Sequence, residues 1–182
     1  MAPGRNILGS RPISHVSYAV KNLEKAVEHW TTVLGAGPFF VVDKVGFDEI
    51  SFNGGPCVWE HSAAFGQWGS ISVELQENRR TEPAAFTRLV LPGPLPVVNH
   101  VAYLSETPEE DSRELAAAGH PLFLHARFGG IEMRFHDTTA AIGHPVEIHR
   151  DSAALRSNFS RIAAAALNWD GSNPLRPMGE TP

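Results

Sequence analysis

Two short stretches decide the fold: Ile13-Ser14-His15-Val16-Ser17-Tyr18-Ala19-Val20 and Val98-Asn99-His100-Val101-Ala102-Tyr103-Leu104. Both are apolar and strand-like, and both carry a His-Val-x-Tyr core. A helix pattern follows each. After the first, Asn22 is placed to cap a helix with Leu23, Ala26, Val27, Trp30, Val33 and Leu34 on one face, and Gly35 fits the left-handed stop. After the second, Thr107-Pro108-Glu109-Glu110 reads as N-cap, proline at the first helical position and a capping-box glutamate, with Gly119 ending the helix.

Three further strands are expected in each half. In the first they are Phe39 to Val45, Glu49 to Phe52 and Ile71 to Leu75, with Gly54-Gly55 as a turn and a possible short strand around Val58. In the second they are Leu122 to Phe128, Ile131 to His136 and Val146 to His149, with Gly129-Gly130 as a hairpin turn. The halves also end alike, in Val73-Glu74-Leu75 and Val146-Glu147-Ile148. The order is therefore β-α-β-β-β, twice: an α+β chain in which a helix covers one face of each sheet and the two copies cover each other's second face. The expected division is an N-terminal tail (1–10), a first module (11–90), a Pro-rich linker (91–97), a second module (98–150), a C-terminal helix (151–170) and an irregular tail (171–182). Asp151 or Ser152 is placed to cap that helix, with Leu155, Phe159, Ile162 and Ala166 on one face.

Composition narrows the function classes. The chain has 182 residues, 15 Lys+Arg against 20 Asp+Glu, and a formal net charge of -5, so it has no basic field for nucleic acid. Its one cysteine, Cys57, excludes an internal disulfide framework and a thiolate zinc cluster, and makes the reducing cytoplasm the default compartment. No apolar run is long enough to span a bilayer, and no membrane partner is expected.

The repeat sets one histidine near the start of each half and one glutamate in the last strand of each: His15, Glu74, His100 and Glu147. If the flanking Val73 and Leu75, and likewise Val146 and Ile148, face the helices, strand alternation turns both carboxylates toward the space between the sheets. Buried there, imidazoles and carboxylates need a partner, and two of each suit a divalent ion with room for two more oxygen ligands. Zinc, nickel, cobalt, manganese and iron all fit this donor set.

These paired motifs resemble the vicinal oxygen chelate superfamily, which includes glyoxalase I, methylmalonyl-CoA epimerase, extradiol dioxygenases and bleomycin-resistance proteins. The resemblance covers about residues 12 to 150. It implies paired βαβββ modules in a cupped mixed sheet, a homodimer, and His15, Glu74, His100 and Glu147 on the family's metal-ligand positions. Retention of all four positions favours the glyoxalase/epimerase branch: a divalent-metal-dependent isomerase, epimerase or lyase. It would abstract a proton next to a metal-bound carbonyl of a small, fairly hydrophobic substrate, through an enolate-like intermediate. Glu147 is the first candidate base and Glu74 its partner on the opposite face, with Asp48 or Glu49 as a non-ligand alternative. An iron-dependent extradiol-type dioxygenase and a sequestering binding protein are the alternatives.

The stretch from His61 to Gly69 reads as a pocket-wall loop, with Phe65 and Trp68 as apolar surface and His61 and Gln67 as polar handles. Phe39, Phe40 and Trp59 read first as core residues, with the same cavity wall as the alternative for each. His149 shares a strand face with Glu147 and is a pocket residue without an evident mate in the first half. His120, His125, His136 and His144 are left outside the site.

Overall fold

A computed structural model describes residues 6–179. The outer ends of the expected tails, 1–5 and 180–182, lie outside the described residues. The strands are β1 (Ile13–Val20), β2 (Phe39–Val42), β3 (Glu49–Phe52), β4 (Val58–Trp68), β5 (Ile71–Glu82), β6 (Val97–Ser105), β7 (Leu122–Phe128), β8 (Ile131–His136), β9 (Val146–Arg150) and β10 (Leu175–Pro177). The helices are α1 (Leu23–Leu34), α2 (Ala84–Val90), α3 (Pro108–Ala117), α4 (Thr139–Ile142) and α5 (Ala153–Ala166).

All ten strands form one mixed sheet, in the order β10-β2-β4-β5-β1-β6-β9-β8-β7-β3. Its centre is a mirror of itself: β2-β4-β5-β1 on one side and β7-β8-β9-β6 on the other, joined where β1 and β6 pair antiparallel. The two copies are thus continuous through one ladder rather than stacked face to face. They share a concave face, and α5 lies over it.

The helices sit where the apolar patterns put them. Asn22 Oδ1 accepts from the Lys25 amide at 2.8 Å, and Gly35 closes α1 at φ 66°. That helix buries Leu23 and Val27 against Phe39, Val73 and Leu75. On the second copy, Leu115 of α3 packs on Val146 and Ile148. Both Val-Glu-Leu/Ile triplets therefore turn their apolar residues to a helix and their glutamate the other way. Ser152, not Asp151, caps α5.

Several elements differ from expectation. The stretch His61 to Trp68 belongs to β4, an eleven-residue strand and not a loop; its Ser, Ala and Gly residues weaken the strand pattern but fit under neighbours. Gly66 shows why, since a Cβ there would stand 2.7 Å from the Phe39 ring. Strand β5 runs on to Glu82 through polar residues that the pairing with β4 supports. Strand β2 stops at Val42. The expected Gly54-Gly55 turn is centred one residue earlier, on Asn53 and Gly54, both with positive φ. Thr107 does not cap α3 through its side chain; its Oγ1 accepts from Arg11 instead.

Two strands are borrowed. From the first half, β3 crosses to pair with β7 at the far edge of the second. From the tail, expected to be irregular, Leu175–Pro177 adds to β2 in parallel. Helix α2, unforeseen, buries Phe86 and Val90 in a cluster with Trp59, Phe123 and Phe135.

Candidate metal centre and its cavity

Register across the sheet explains how four distant residues meet. One row of Cα partners runs Phe65, Glu74, Ser17, His100 from β4 to β6. The other runs Phe135, Glu147, Ala102, His15 from β8 back to β1. Each row ends in a phenylalanine, then a glutamate, and reaches a histidine on the opposite copy's strand. The mirrored rows put both histidines at the seam and both carboxylates beside it.

The four side chains converge. Nε2 of His15 lies 3.3 Å from Nε2 of His100, 3.6 Å from Glu74 Oε2 and 3.7 Å from Glu147 Oε2. Nε2 of His100 lies 3.5 Å and 3.0 Å from the same two oxygens. All four side chains are buried. The phenylalanines at the row ends meet the histidines edge-on, Phe65 against His15 at 5.6 Å and Phe135 against His100 at 5.1 Å between centroids. From α5, Phe159 stacks on the other side of His15.

The outer nitrogens of both histidines are held. Asn99 Nδ2 donates to the Val90 carbonyl, which leaves its Oδ1 to accept from His100 Nδ1 at 2.5 Å. Nδ1 of His15 is paired with Ser14 Oγ at 3.2 Å. The rings so oriented turn both Nε2 atoms inward, next to two carboxylates, so that four donor atoms compete for whatever protons lie between them. A divalent cation resolves that conflict, and two carboxylates match its charge. Bonds of about 2.1 Å at right angles place neighbouring donor atoms about 3 Å apart, and tetrahedral ones place them somewhat farther. The observed separations of 3.0–3.7 Å span that range and pass its upper end by about 0.3 Å, a difference that small side-chain rotations close.

The electrostatics follow. Burial pushes the His15 imidazole below its ordinary value. Burial alone would raise both carboxyls, but the surrounding imidazoles hold Glu74 low and Glu147 well below the usual carboxylate range. His149 joins the group: its Nε2 is 3.0 Å from Glu147 Oε2, and the Glu147 charge outweighs burial and raises its pKa. His15, Glu147 and His149 form a second donor triplet beside His15, Glu74 and His100.

The centre floors a cavity of about 170 Å³ whose other walls are mostly apolar. Of the expected wall residues, His61, Phe65 and His149 line it; Trp59, read first as a core residue, belongs to a core cluster and also lines the cavity. Gln67 and Trp68 do not: Gln67 spans the tight turn between Gly69 and Ser72, and Trp68, 41% exposed, packs on Trp30. Phe39 and Phe40 are core residues. Asp48 and Glu49 stand away from the cavity, Asp48 accepting from the Gly129 amide. His136 is held by Ser112 and the His120 carbonyl, and His125 by Glu132.

Gln76 was not singled out in the sequence, although strand alternation could have found it. It stands two residues beyond Glu74, as His149 stands two beyond Glu147, so the positional mate of His149 is a glutamine. It is 1% exposed and lines the cavity. Helix α5 closes the wall with Leu155, Phe159 and Ile162.

The profile of the glyoxalase/bleomycin resistance protein/dioxygenase superfamily matches residues 14–136. The chain belongs to that superfamily. Among curated proteins none matches. Two solved structures resemble this superfamily member over most of their length, each at 17% identity. One is a hypothetical protein from Bacillus halodurans, covering 79% of this chain and 96% of its own with a TM-score of 0.56. The other is methylmalonyl-CoA epimerase from Mycobacterium tuberculosis, covering 80% and 91% with a TM-score of 0.53. At that identity the likeness is one of fold. Among the described residues no helix is long and apolar enough to cross a membrane.

Proposed function

We propose that His15, Glu74, His100 and Glu147 hold one divalent metal ion, and that the protein is an isomerase, epimerase or lyase acting on a small, fairly hydrophobic carbonyl compound. The convergence of two inward Nε2 atoms and two carboxylate oxygens on the cavity floor carries this reading. When bound, such an ion supplies Lewis-acid polarisation of a carbonyl, which acidifies the adjacent C–H.

The chain's own residues do the rest. The Glu147 carboxylate, swinging away from the ion, would accept the proton, and Glu74 would serve the opposite face of the flattened substrate. His149 donates to Glu147 and keeps that carboxylate oriented. Phe65, Phe135 and Phe159 exclude water, so charges within the cavity act at low dielectric. The carbonyl compound is the only partner this requires; a homodimer and a cytoplasmic setting remain part of the same proposal.

Elemental analysis of the purified protein tests the centre: about one zinc, nickel, cobalt, manganese or iron per chain is expected, and His15→Ala should abolish it. Chemistry is tested by proton–deuterium exchange into α-hydroxy and α-keto carbonyl compounds. Exchange should require the metal and fall at least about 100-fold in Glu147→Gln. Absence of metal-dependent exchange across such a panel overturns the reaction class. The His15, Glu74 and His100 triplet is also a two-histidine, one-carboxylate set of the kind used by iron oxygenases. Oxygen uptake with catechols would assign that chemistry instead.

A further inference from the structure

The two ends of the cavity are not equivalent, although the fold around them is mirrored. Beyond Glu147, His149 turns back and bonds the carboxylate. Beyond Glu74, Gln76 does not. A chain of donors fixes its amide: Trp59 Nε1 donates to Asn78 Oδ1 at 2.6 Å, and Asn78 Nδ2 approaches Gln76 Oε1 at 3.5 Å. Among the described residues no hydrogen bond engages Gln76 Nε2, and Gln76 lines the cavity.

On the neighbouring strand β4, His61 stands diagonally across the ladder from Gln76, since Ala63 pairs with Gln76 and His61 with Asn78. His61 is 4% exposed, lines the cavity, and packs its ring on Trp59 and Phe47 at 4.5 Å and 5.7 Å. Its buried Nδ1 makes no hydrogen bond of good geometry among the described residues; the ring approaches the backbone of Trp59. A buried nitrogen without a partner is costly unless a ligand satisfies it.

We infer that His61 and Gln76 form a hydrogen-bonding subsite, walled by Trp59 and Phe47, that reads a hydroxyl or carbonyl group at the far side of a single planar ring. Three observations set the substrate class. The walls are flat aromatic rings. The cavity, about 170 Å³, is close in size to those that hold one benzene molecule. Two residues of strand separate Gln76 from Glu74, about 7 Å, a span one substituted six-membered ring covers. The substrate is therefore a monocyclic aromatic carbonyl compound whose ring carries a polar group opposite the reacting carbon.

The inference rests on the proposed metal centre only for the position of the reacting end. Calorimetric titration of the chelator-treated protein with p-cresol and with toluene tests the subsite alone. Titration of the metal-loaded protein with 4-hydroxybenzoylformate and with benzoylformate tests it in register with the centre. In each pair the hydroxylated probe should bind about tenfold tighter or better, and His61→Phe and Gln76→Leu should each erase the preference without changing metal content. Equal binding of p-cresol and toluene by the unsubstituted protein overturns the subsite, as does a preference that survives both substitutions. Loss of the metal reading would show separately, as an absence of stoichiometric metal with the p-cresol preference intact.

Discussion

Asn99 fixes His100 without facing the centre itself. Its amide is tied to the Val90 carbonyl and so has only Oδ1 to offer the imidazole. Substituting Asn99→Leu removes that restraint and leaves the ring free to turn. Metal affinity should fall about 10–100-fold, read by competition with a chromogenic chelator. His61 predicts a pH dependence. Burial pushes its imidazole down to about 4 from an ordinary 6.5. The unfolded chain thus takes up the proton first as pH falls: stability is intact above about pH 6.5 and declines from there to about pH 4, by roughly 3 kcal/mol from this group. His15 and His136, depressed by burial as well, add to the same slope. Urea midpoints of the metal-free protein between pH 4.5 and 7 should therefore slope less steeply in His61→Gln.

At the scale of elements, β4 carries the clearest prediction. Gly66→Ala sets a methyl group against the Phe39 ring, and relief requires the ring or the strand to move. A loss of about 1–3 kcal/mol in urea unfolding is expected. The same strand shows where sequence reading stops. Helix α1 was legible from end to end because its cap, its apolar stripe and its glycine stop are local signals. The glutamates of β5 and β9 were legible because alternation is local too. But Ser62-Ala63-Ala64 and Gly66 have weak strand preference, and only the ladders on both sides of β4 make them a strand. Likewise β3 and β10 are too short to declare partners, and their pairing with β7 and β2 is settled by tertiary packing. Within the candidate centre, the four donors stood out as a repeated pattern. Gln76 did not, since a glutamine after a glutamate on a polar-ending strand looks solvated until the concave face is known. His149 was legible as a pocket residue but not as a partner of Glu147.

For the whole molecule, the decisive contact is the antiparallel seam between β1 and β6. It brings all four donors together from one chain, and α5 of that chain covers them. Whatever assembly the protein adopts, the centre should then be indifferent to it. Metal content measured after gel filtration should stay constant when the protein is diluted through the dissociation of any dimer, while a centre shared between subunits would lose metal on dilution. The margins of the ten-stranded sheet bear on assembly from another side. One ends in three residues of β10, terminating at Pro177, and the other in four residues of β3. An approaching foreign strand finds there almost no free backbone to extend, a blunt border that discourages fibrous stacking and leaves self-association to side-chain surfaces.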